Sequence, residues 1–311
     1  MMNHSPKPFG IIPAIPSLFN EKEGITIEDL KNVIEFVINN GSHGIALLLI
    51  GGEYYKLSED ERMQVIKSSI DIVKSSVPVY VGLSSLSITQ VLKFSKIAKD
   101  YGIECGVISI PYTDPLGILD HDTIIRYLSE ILSKLEKLDF NVILQDSIIG
   151  NIKPLGADNI LYLLNNFNNI VGFKVEGRNS LRRMRDIITL TENKVSILGG
   201  WLGINLLHEL SIGASGNIPG SALSDYLTKI YNLYMHSNIE EAKALFNRIF
   251  KLLKIETEYM RSFYCIEKMI LKARGIISSS YCREPSPVVT KRALNLIYSY
   301  LKELTNLPNI L

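Results

Sequence analysis

Eight short apolar runs recur along the chain, each followed by an amphipathic segment of helical length. Within each run the apolar residues are continuous rather than alternating, a pattern typical of parallel strands that helices cover. Eight such units build either a closed (β/α)₈ barrel or a long doubly wound open sheet, and the count of eight favours the barrel. The runs are Ile11–Pro16, Ile45–Ile50, Val79–Leu83, Val107–Ile110, Val142–Leu144, Ile170–Val175, Val195–Leu198 and a weaker one at Ser215–Ile218.

The last part of the chain lacks this strand pattern. After about residue 222, segments such as 239–260 have helical periodicity, and no linker rich in proline, glycine or serine precedes them. A barrel needs roughly 250 residues, so a chain of 311 residues suits one barrel with an addition better than two equal domains. We therefore predict an α/β fold with a (β/α)₈ barrel over 8–222 and a helical C-terminal extension over 223–311.

The charge and hydropathy of the chain indicate which classes of binding partner to expect. The chain has 33 basic and 32 acidic residues, a net charge of +1, and the two signs alternate along it. Nucleic-acid binding and attachment to an anionic membrane both need a concentrated basic face, so we expect neither. The longest apolar run near the start is far shorter than the ~20 residues of a membrane helix. No signal-peptide pattern opens the sequence, and we expect a cytoplasmic protein.

Cysteine and histidine spacing gives no indication of a metal or disulfide site. Cys105, Cys265 and Cys282 are far apart in sequence and show no CxxC motif, which is typical of a reducing compartment. The five histidines are scattered and form no HxxxH pair. We therefore predict a protein without a metal or another cofactor.

A lysine and a glutamate stand inside the sixth apolar run, at its carboxyl end. Alternation along a strand places Val171, Phe173 and Val175 on one face, towards the surrounding helices. Lys174 and Glu176 then share the other face and point into the barrel, about 7 Å apart along the strand. Barrel enzymes place their active sites at this end of the strands.

This pair has the chemistry of a Schiff-base enzyme. Desolvation disfavours the ammonium form of a lysine, and a neutral amine attacks a ketone carbonyl to form an imine. The imine stabilises a carbanion at the adjacent carbon, and a carboxylate two residues away is placed to move protons there. The spacing fits a buried ion pair that closes the barrel mouth equally well, and spacing alone does not decide between the two.

Five short motifs follow one another along the chain, and their order and spacing are similar to those of a known family. They resemble the dihydrodipicolinate synthase / N-acetylneuraminate lyase family of class I aldolases over roughly residues 8 to 300. The resemblance implies that Lys174 is the Schiff-base lysine, that the substrate is a small 2-oxo acid, and that the protein is a homo-oligomer, commonly a tetramer. The motifs are Leu49-Ile-Gly-Gly-Glu53, Val107-Ile-Ser-Ile-Pro-Tyr-Thr113, Gly172-Phe-Lys174, Ile197-Leu-Gly-Gly200 and Gly213-Ala-Ser-Gly216.

The chain departs from the family at the residues that relay protons in the synthases. Their paired threonines are replaced by Ile50 and Gly51, and the second tyrosine of their PYY motif by Thr113. Their strand-five tyrosine aligns with either Gln145 or Asp146, and the arginine that follows it has no counterpart. A one-residue slip reverses the face of a strand residue, so only one of Gln145 and Asp146 points inward, and the sequence leaves that choice open.

These replacements resemble a divergent branch of the family that includes 2-keto-3-deoxy sugar-acid dehydratases. In that branch the glutamate after the lysine takes the acid–base role of the tyrosine, which implies that role for Glu176. We therefore predict a lyase that dehydrates or cleaves a 2-keto-3-deoxy sugar acid. The alternatives are a catalytically inactive barrel that binds a small oxo acid, and a true dihydrodipicolinate synthase.

Further residues are candidates for substrate binding. The glycine-rich turns at Ile50, Gly51 and Gly52 and at Gly200 let backbone amides approach a carboxylate, although plain turn glycines fit the same pattern. Tyr112 and Ile218 are predicted to line the pocket, and a packed tyrosine is an equal alternative for Tyr112. The glutamate of the first motif, Glu53, is expected to hold its own loop by hydrogen bonds.

Overall fold

The computed structural model describes residues 7–148 and 152–305, and its strands account for all eight predicted runs. Each predicted run overlaps one strand, and one additional hairpin follows the fourth run. The strands are β1 (Gly10–Ile11), β2 (Ile45–Leu47), β3 (Val79–Gly82), β4 (Cys105–Ser109), β5 (Thr113–Asp114), β6 (Gly117–Ile118), β7 (Asn141–Ile148), β8 (Ile170–Gly177), β9 (Ser196–Gly199) and β10 (Gly216–Asn217).

Eight of these strands form a closed parallel barrel. They pair in the order β1-β10-β9-β8-β7-β4-β3-β2, while β5 and β6 make a separate antiparallel hairpin. The sheet closes because Ala14, just after β1, forms a parallel bridge with Ala46 of β2. The amide of Ile15 also donates to the carbonyl of Ala46 at 2.8 Å. The predicted barrel is confirmed, the open sheet is wrong, and β8 is the sixth strand of the barrel.

The described residues form eleven α-helices, of which seven lie between barrel strands and four follow the last strand. The helix after β2 begins with a capping box, in which Ser58 Oγ accepts from the amide of Glu61 and Glu61 Oε2 accepts from the amide of Ser58. None of the described helices is both long enough and apolar enough to cross a membrane. The helices are α1 (Ile27–Asn39), α2 (Glu59–Val73), α3 (Ile88–Asp100), α4 (His121–Lys137), α5 (Ala157–Asn166), α6 (Ser180–Thr191), α7 (Leu206–Ser211), α8 (Ser224–Met235), α9 (Ile239–Glu258), α10 (Phe263–Ala273) and α11 (Lys291–Thr305).

Two apolar clusters fill the fold. A small one, with Val107 and Ile143 at its centre, fills the barrel interior. A larger one lies between the strands and the helices and continues into α9 and α10 through Ile249 and Ile266. Because this core runs across residue 222, the division into a barrel and an extension at that point stays a prediction.

The alternation predicted for β8 holds at its carboxyl end and fails at its start. Phe173 and Val175 are buried in the outer cluster, as expected. Val171 instead packs against the interior cluster, because the β7–β8 register shifts there and Val171 has no partner residue across the ladder. A bulge of this kind adds one residue to one strand and changes which face it presents. From Gly172 onward the pairing is regular, and it carries Lys174 and Glu176 inward.

Candidate active site

A cavity of about 510 Å³ opens at the carboxyl ends of the barrel strands. Barrel enzymes carry out their chemistry at this end. Lys174 and Glu176 enter the cavity from β8, while the loops after β2, β9 and β10 and the start of α10 complete its wall. Further wall residues are Ile50, Gly51, Ser147, Trp201, Ile218 and Phe263.

Lys174 and Glu176 form an ion pair inside the cavity. Nζ of Lys174 lies 3.3 Å from Oε2 of Glu176, and the two side chains are 8% and 15% exposed. Among the described residues the Lys174 amine has no other ion-pair or hydrogen-bond partner. The amine is therefore held by a single carboxylate and otherwise faces the space that a ligand would fill.

Glu176 is fixed from three further directions. Gln145 Nε2 donates to Glu176 Oε1 at 2.7 Å, and the amide of Trp201 donates to Oε2 at 3.1 Å. Burial alone would raise the pKa of Glu176, but the Lys174 ammonium, the Trp201 amide and the Ser147 hydroxyl outweigh it and hold that pKa below its ordinary value. The group is therefore a carboxylate at neutral pH and is able to accept a proton.

Gln145 and Asp146 point to opposite sides of β7, which answers the question that the sequence left open. Gln145 faces the barrel interior and Glu176. Asp146 faces the helices, where it accepts from Nε of Arg183 at 2.7 Å and from the Tyr112 hydroxyl at 2.7 Å. Both are almost fully buried, and neither forms part of the cavity wall. Gln145 therefore contacts Glu176 from inside the barrel, while Asp146 ties β7 to α6.

Of the other predicted binding residues, some line the cavity and some lie outside it. Ile50, Gly51 and Ile218 line the cavity. Tyr112 lies outside it, because its hydroxyl is used by Asp146 and by the amide of Leu155 at 3.3 Å.

Two of the predicted glycines serve the site without lining the cavity. Gly52 is buried behind the wall, where its carbonyl accepts a hydrogen bond from the Ser17 hydroxyl. Gly200 makes room for the ion pair, since a Cβ at this position would lie 2.1 Å from Glu176 Oε2 and 2.8 Å from Lys174 Cε.

Several wall residues were missed by the sequence analysis. Arg178 is the first residue after β8, two positions beyond Glu176, so its closeness to the predicted pair at the carboxyl end of the strand was a signal for it. Trp201 directly follows Gly200 in the loop after β9, while Arg261 and Glu267 are remote in sequence and reach the cavity through the packing of α10 and the turn before it.

A second buried carboxyl group lies behind the cavity. Glu209 of α7 is 1% exposed, and its Oε2 accepts from Nδ2 of Asn217 at 2.6 Å. Burial raises the pKa of Glu209 to about 8, against the opposing effect of that hydrogen bond and with a further contribution from the charge of Glu176. At neutral pH the structure therefore holds a neutral Glu209 beside an ionised Glu176.

No group of three or more histidine, cysteine, aspartate and glutamate side chains within 7–148 and 152–305 is arranged to hold a metal ion. The three cysteines are free thiols. The ionisable groups of the cavity wall are the side chains of Lys174, Arg178, Arg261, Glu176 and Glu267, together with Tyr55 and Tyr264. With three basic and two acidic side chains, the cavity suits an anionic ligand.

The closed barrel and the lysine at the carboxyl end of its sixth strand define a (β/α)₈ enzyme of the aldolase type. The Dihydrodipicolinate synthetase family matches residues 7–304. The chain belongs to that family and is a lyase.

Three relatives illustrate the range of the family. The chain is 23% identical over 286 residues to the L-2-keto-3-deoxyarabonate dehydratase of Azospirillum brasilense, with 91% of this chain and 90% of the relative covered. It is 25% identical over 306 residues to the "Probable 2-dehydro-3-deoxy-D-pentonate aldolase YjhH" of Escherichia coli K12, with coverage of 96% and 98%. The crystal structure of YagE, an Escherichia coli K12 prophage protein of the same family in complex with pyruvate, superposes with a TM-score of 0.84 at 20% identity, with coverage of 96% and 98%.

Proposed function

We propose that this lyase dehydrates a 2-keto-3-deoxy sugar acid through an imine on Lys174, with Glu176 as the proton-transfer group. The observation that carries the proposal is the pair itself, with an amine 3.3 Å from a carboxylate at the wall of a cavity of about 510 Å³. A dehydratase of such a substrate among the relatives supports the choice of reaction.

The first step is imine formation at C2 of the substrate. Glu176 takes a proton from the Lys174 ammonium, and the free amine attacks the C2 carbonyl. Glu176 returns its proton to the carbinolamine hydroxyl, which leaves as water, and the product is a protonated imine. The basic side chains at the mouth, Arg178 and Arg261, attract the anionic substrate.

The second step is elimination of the C4 hydroxyl. Glu176, again ionised, removes a proton from C3, and the electrons of that C–H bond neutralise the imine nitrogen as an enamine. The protonated Glu176 then donates to the C4 hydroxyl. That hydroxyl leaves as water while the enamine electrons form the C3–C4 double bond. Hydrolysis of the conjugated imine frees Lys174 and the dehydrated product.

Glu176 has support for both of these roles. Gln145 holds one of its oxygens and the Trp201 amide the other, so the carboxylate keeps its place as its charge changes. When the imine nitrogen becomes neutral, Glu176 loses the cation that lowers its pKa, and it therefore retains the proton that it will deliver.

Aldol cleavage is the second candidate, because an aldolase of a related sugar acid is also among the relatives. Cleavage needs the same imine but breaks the C3–C4 bond and releases pyruvate. We prefer dehydration to cleavage, since among the described residues Glu176 is the carboxylate paired with the amine, and one carboxylate can serve C3 and the C4 hydroxyl in turn.

The test is a panel of 2-keto-3-deoxypentonates and 2-keto-3-deoxyhexonates offered to the purified protein. We expect at least one acid to be consumed without release of pyruvate. Pyruvate in equimolar yield would identify an aldolase instead. Condensation of pyruvate with aspartate semialdehyde at a kcat of about 10 s⁻¹ or above would identify a dihydrodipicolinate synthase. Absence of any imine would identify an inactive binding barrel.

We further propose a homo-oligomer that works in the cytoplasm. The β5–β6 hairpin supports an interface between copies, since it carries Leu116 and Ile118, which are 96% and 69% exposed. Light scattering on the purified protein should give a multiple of the 34.9 kDa chain mass, and a monomer would contradict the proposal.

A further inference from the structure

A carboxylate that the proposed mechanism does not use borders the same cavity. Glu267 of α10 lies over the end of β10, two barrel strands away from Lys174, and is 6% exposed at the cavity wall. Its Oε2 accepts from the amides of Ser221 at 3.0 Å and Ala222 at 3.1 Å. The group is therefore anchored through one oxygen.

The second oxygen of Glu267 lies against a glycine, Gly220. A Cβ at position 220 would lie 2.0 Å from Glu267 Oε1, so glycine is required for this oxygen to reach the loop at the cavity wall. Gly220 itself also lines the cavity. The local sequence thus makes room for a carboxylate oxygen beside the space that holds the substrate.

A neighbouring carboxyl group determines the charge of Glu267. Glu256 of α9 is 1% exposed, and neither of its oxygens has a hydrogen-bond donor among the described residues. Burial and the adjacent Glu267 raise the pKa of Glu256 well above its ordinary value, so Glu256 keeps its proton at neutral pH. Burial raises the pKa of Glu267 as well, but the amides of Ser221 and Ala222 and the charge of Arg274 oppose that effect, so Glu267 is the member of the pair that ionises first.

No cation neutralises Glu267 directly. Arg274, the nearest guanidinium to contribute to its electrostatics, is engaged with both carboxylate oxygens of Asp225 at 2.9 and 2.6 Å. Within the described ranges Glu267 takes part in no ion pair. A carboxylate that is anchored, uncompensated and next to a cavity is a strong acceptor for the hydroxyl groups of a ligand.

We propose that Glu267 is a specificity-determining residue, which accepts hydrogen bonds from the hydroxyl groups on the tail of a polyhydroxylated 2-oxo acid. The inference rests on the proposed function and extends it. Lys174 on β8 holds the keto carbon, and Glu267 above β10 holds the far end of the same molecule. Substrates with tail hydroxyls are thereby favoured over pyruvate and other 2-oxo acids with bare chains.

The experiment compares two probes on the full-length protein and on Glu267→Gln. Pyruvate has no tail, and its half-saturating concentration is measured by borohydride trapping. A 2-keto-3-deoxypentonate has the tail, and its KM and kcat are measured by consumption. We expect Glu267→Gln to raise the KM for the deoxypentonate about tenfold, because a charge-assisted acceptor is replaced by a neutral amide. The pyruvate value and kcat should change by less than about threefold.

The control is Glu258→Gln, which removes the same charge from the exposed end of α9, at a residue that does not line the cavity. Glu258→Gln should leave the half-saturating concentration of pyruvate, and the KM and kcat for the deoxypentonate, as they are in the unaltered protein. Glu267→Asp is the second variant should Glu267→Gln not fold, since it keeps the charge but withdraws it from the tail, and the same selective loss is expected.

Two outcomes would overturn the inference. If Glu267 substitutions weaken both probes equally, or neither, the residue only anchors the loop at 221–222. Absence of any trapped imine with pyruvate in the unaltered protein would be a different failure. It would overturn the proposed function at Lys174, and the role of Glu267 in that function with it.

Discussion

The described residues place buried lysine–glutamate ion pairs at two sites, one around Glu53 and one on β8, and the two sites differ in what surrounds them. Lys268 and Glu53 are both completely buried and in direct contact. Glu53 also accepts from Lys56 at 2.9 Å, and Lys268 lies 4.6 Å from the centre of the Phe19 ring. Every side of this pair is occupied by protein. The pair of Lys174 and Glu176 is longer, at 3.3 Å, and borders a cavity.

The difference separates an ion pair enclosed by protein from one whose amine faces a cavity. Both pairs join a lysine to a glutamate, and both are mostly or fully buried. The Glu53 pair joins the loop after β2 to α10 and leaves its amines no access to a ligand, in agreement with the structural role expected for Glu53. In the Lys174 pair all the additional contacts go to the carboxylate, through Gln145 and Trp201, and the amine remains available.

The largest expected effect is a loss of stability when the fully buried pair of Lys268 and Glu53 is broken. Lys268→Met should lower the free energy of unfolding by about 3 kcal/mol, because it leaves part of the Glu53 charge buried without compensation. Lys174→Met should change it by less than about 1 kcal/mol, since the cavity lets water solvate Glu176. Denaturant unfolding of both variants measures the two values. Equal losses would show that the pair on β8 is structural after all.

Glu176→Gln tests the role of the carboxylate in the pair that borders the cavity. The Trp201 amide can still donate to the oxygen of the new side chain, and Gln145 can turn its amide so that its oxygen accepts from the new Nε2, so the fold and the imine should persist. Turnover of a 2-keto-3-deoxy acid should fall roughly 10²-fold, as is typical when a general acid–base group is lost. Single-turnover trapping alongside steady-state assays separates the two steps, and turnover within threefold of the unaltered enzyme would assign Glu176 to the ion pair alone.

A smaller effect is expected from Glu209, the neutral carboxyl group behind the pair of Lys174 and Glu176. The folded pKa of Glu209, about 8, lies above the ordinary value of 4.5. Between these values the folded state keeps a proton that the unfolded state has released, so stability should fall as pH rises from about 4.5 to about 8.

Glu209→Gln is the variant that isolates this contribution. It should flatten the pH dependence of stability and raise the free energy of unfolding at pH 8 by roughly 1–3 kcal/mol. Thermal melts across the range check this, with Glu258→Gln as the matched surface control. An unchanged pH profile would mean that Glu209 is ionised in the folded protein.

The sequence predicted the barrel because its signal is local and repeated eight times. It predicted Lys174 and Glu176 for the same reason, since alternation along one strand is enough to place both inward. The misplacement of Val171 comes from a bulge, which depends on the neighbouring strand and leaves no mark in the run itself. The choice between Gln145 and Asp146 was open because a slip of one residue inverts it.

The rest of the cavity could not be predicted, because it is assembled by tertiary packing. Tyr112 was expected in the pocket, yet its hydroxyl is buried on Asp146 outside the barrel wall. Glu267 lies on a helix whose pattern is that of an ordinary amphipathic segment. Its position at the cavity follows from the packing of α10 over β10, a contact between residues remote in sequence.

The central claim is that Lys174 is the nucleophile of the cavity, and borohydride reduction in the presence of pyruvate tests it most directly. Reduction of the imine adds pyruvate to one lysine irreversibly, and peptide mass spectrometry locates it. We expect a single adduct at Lys174, absent from Lys174→Met and retained in Glu176→Gln. An adduct on another lysine, or one that persists in Lys174→Met, would contradict the assignment.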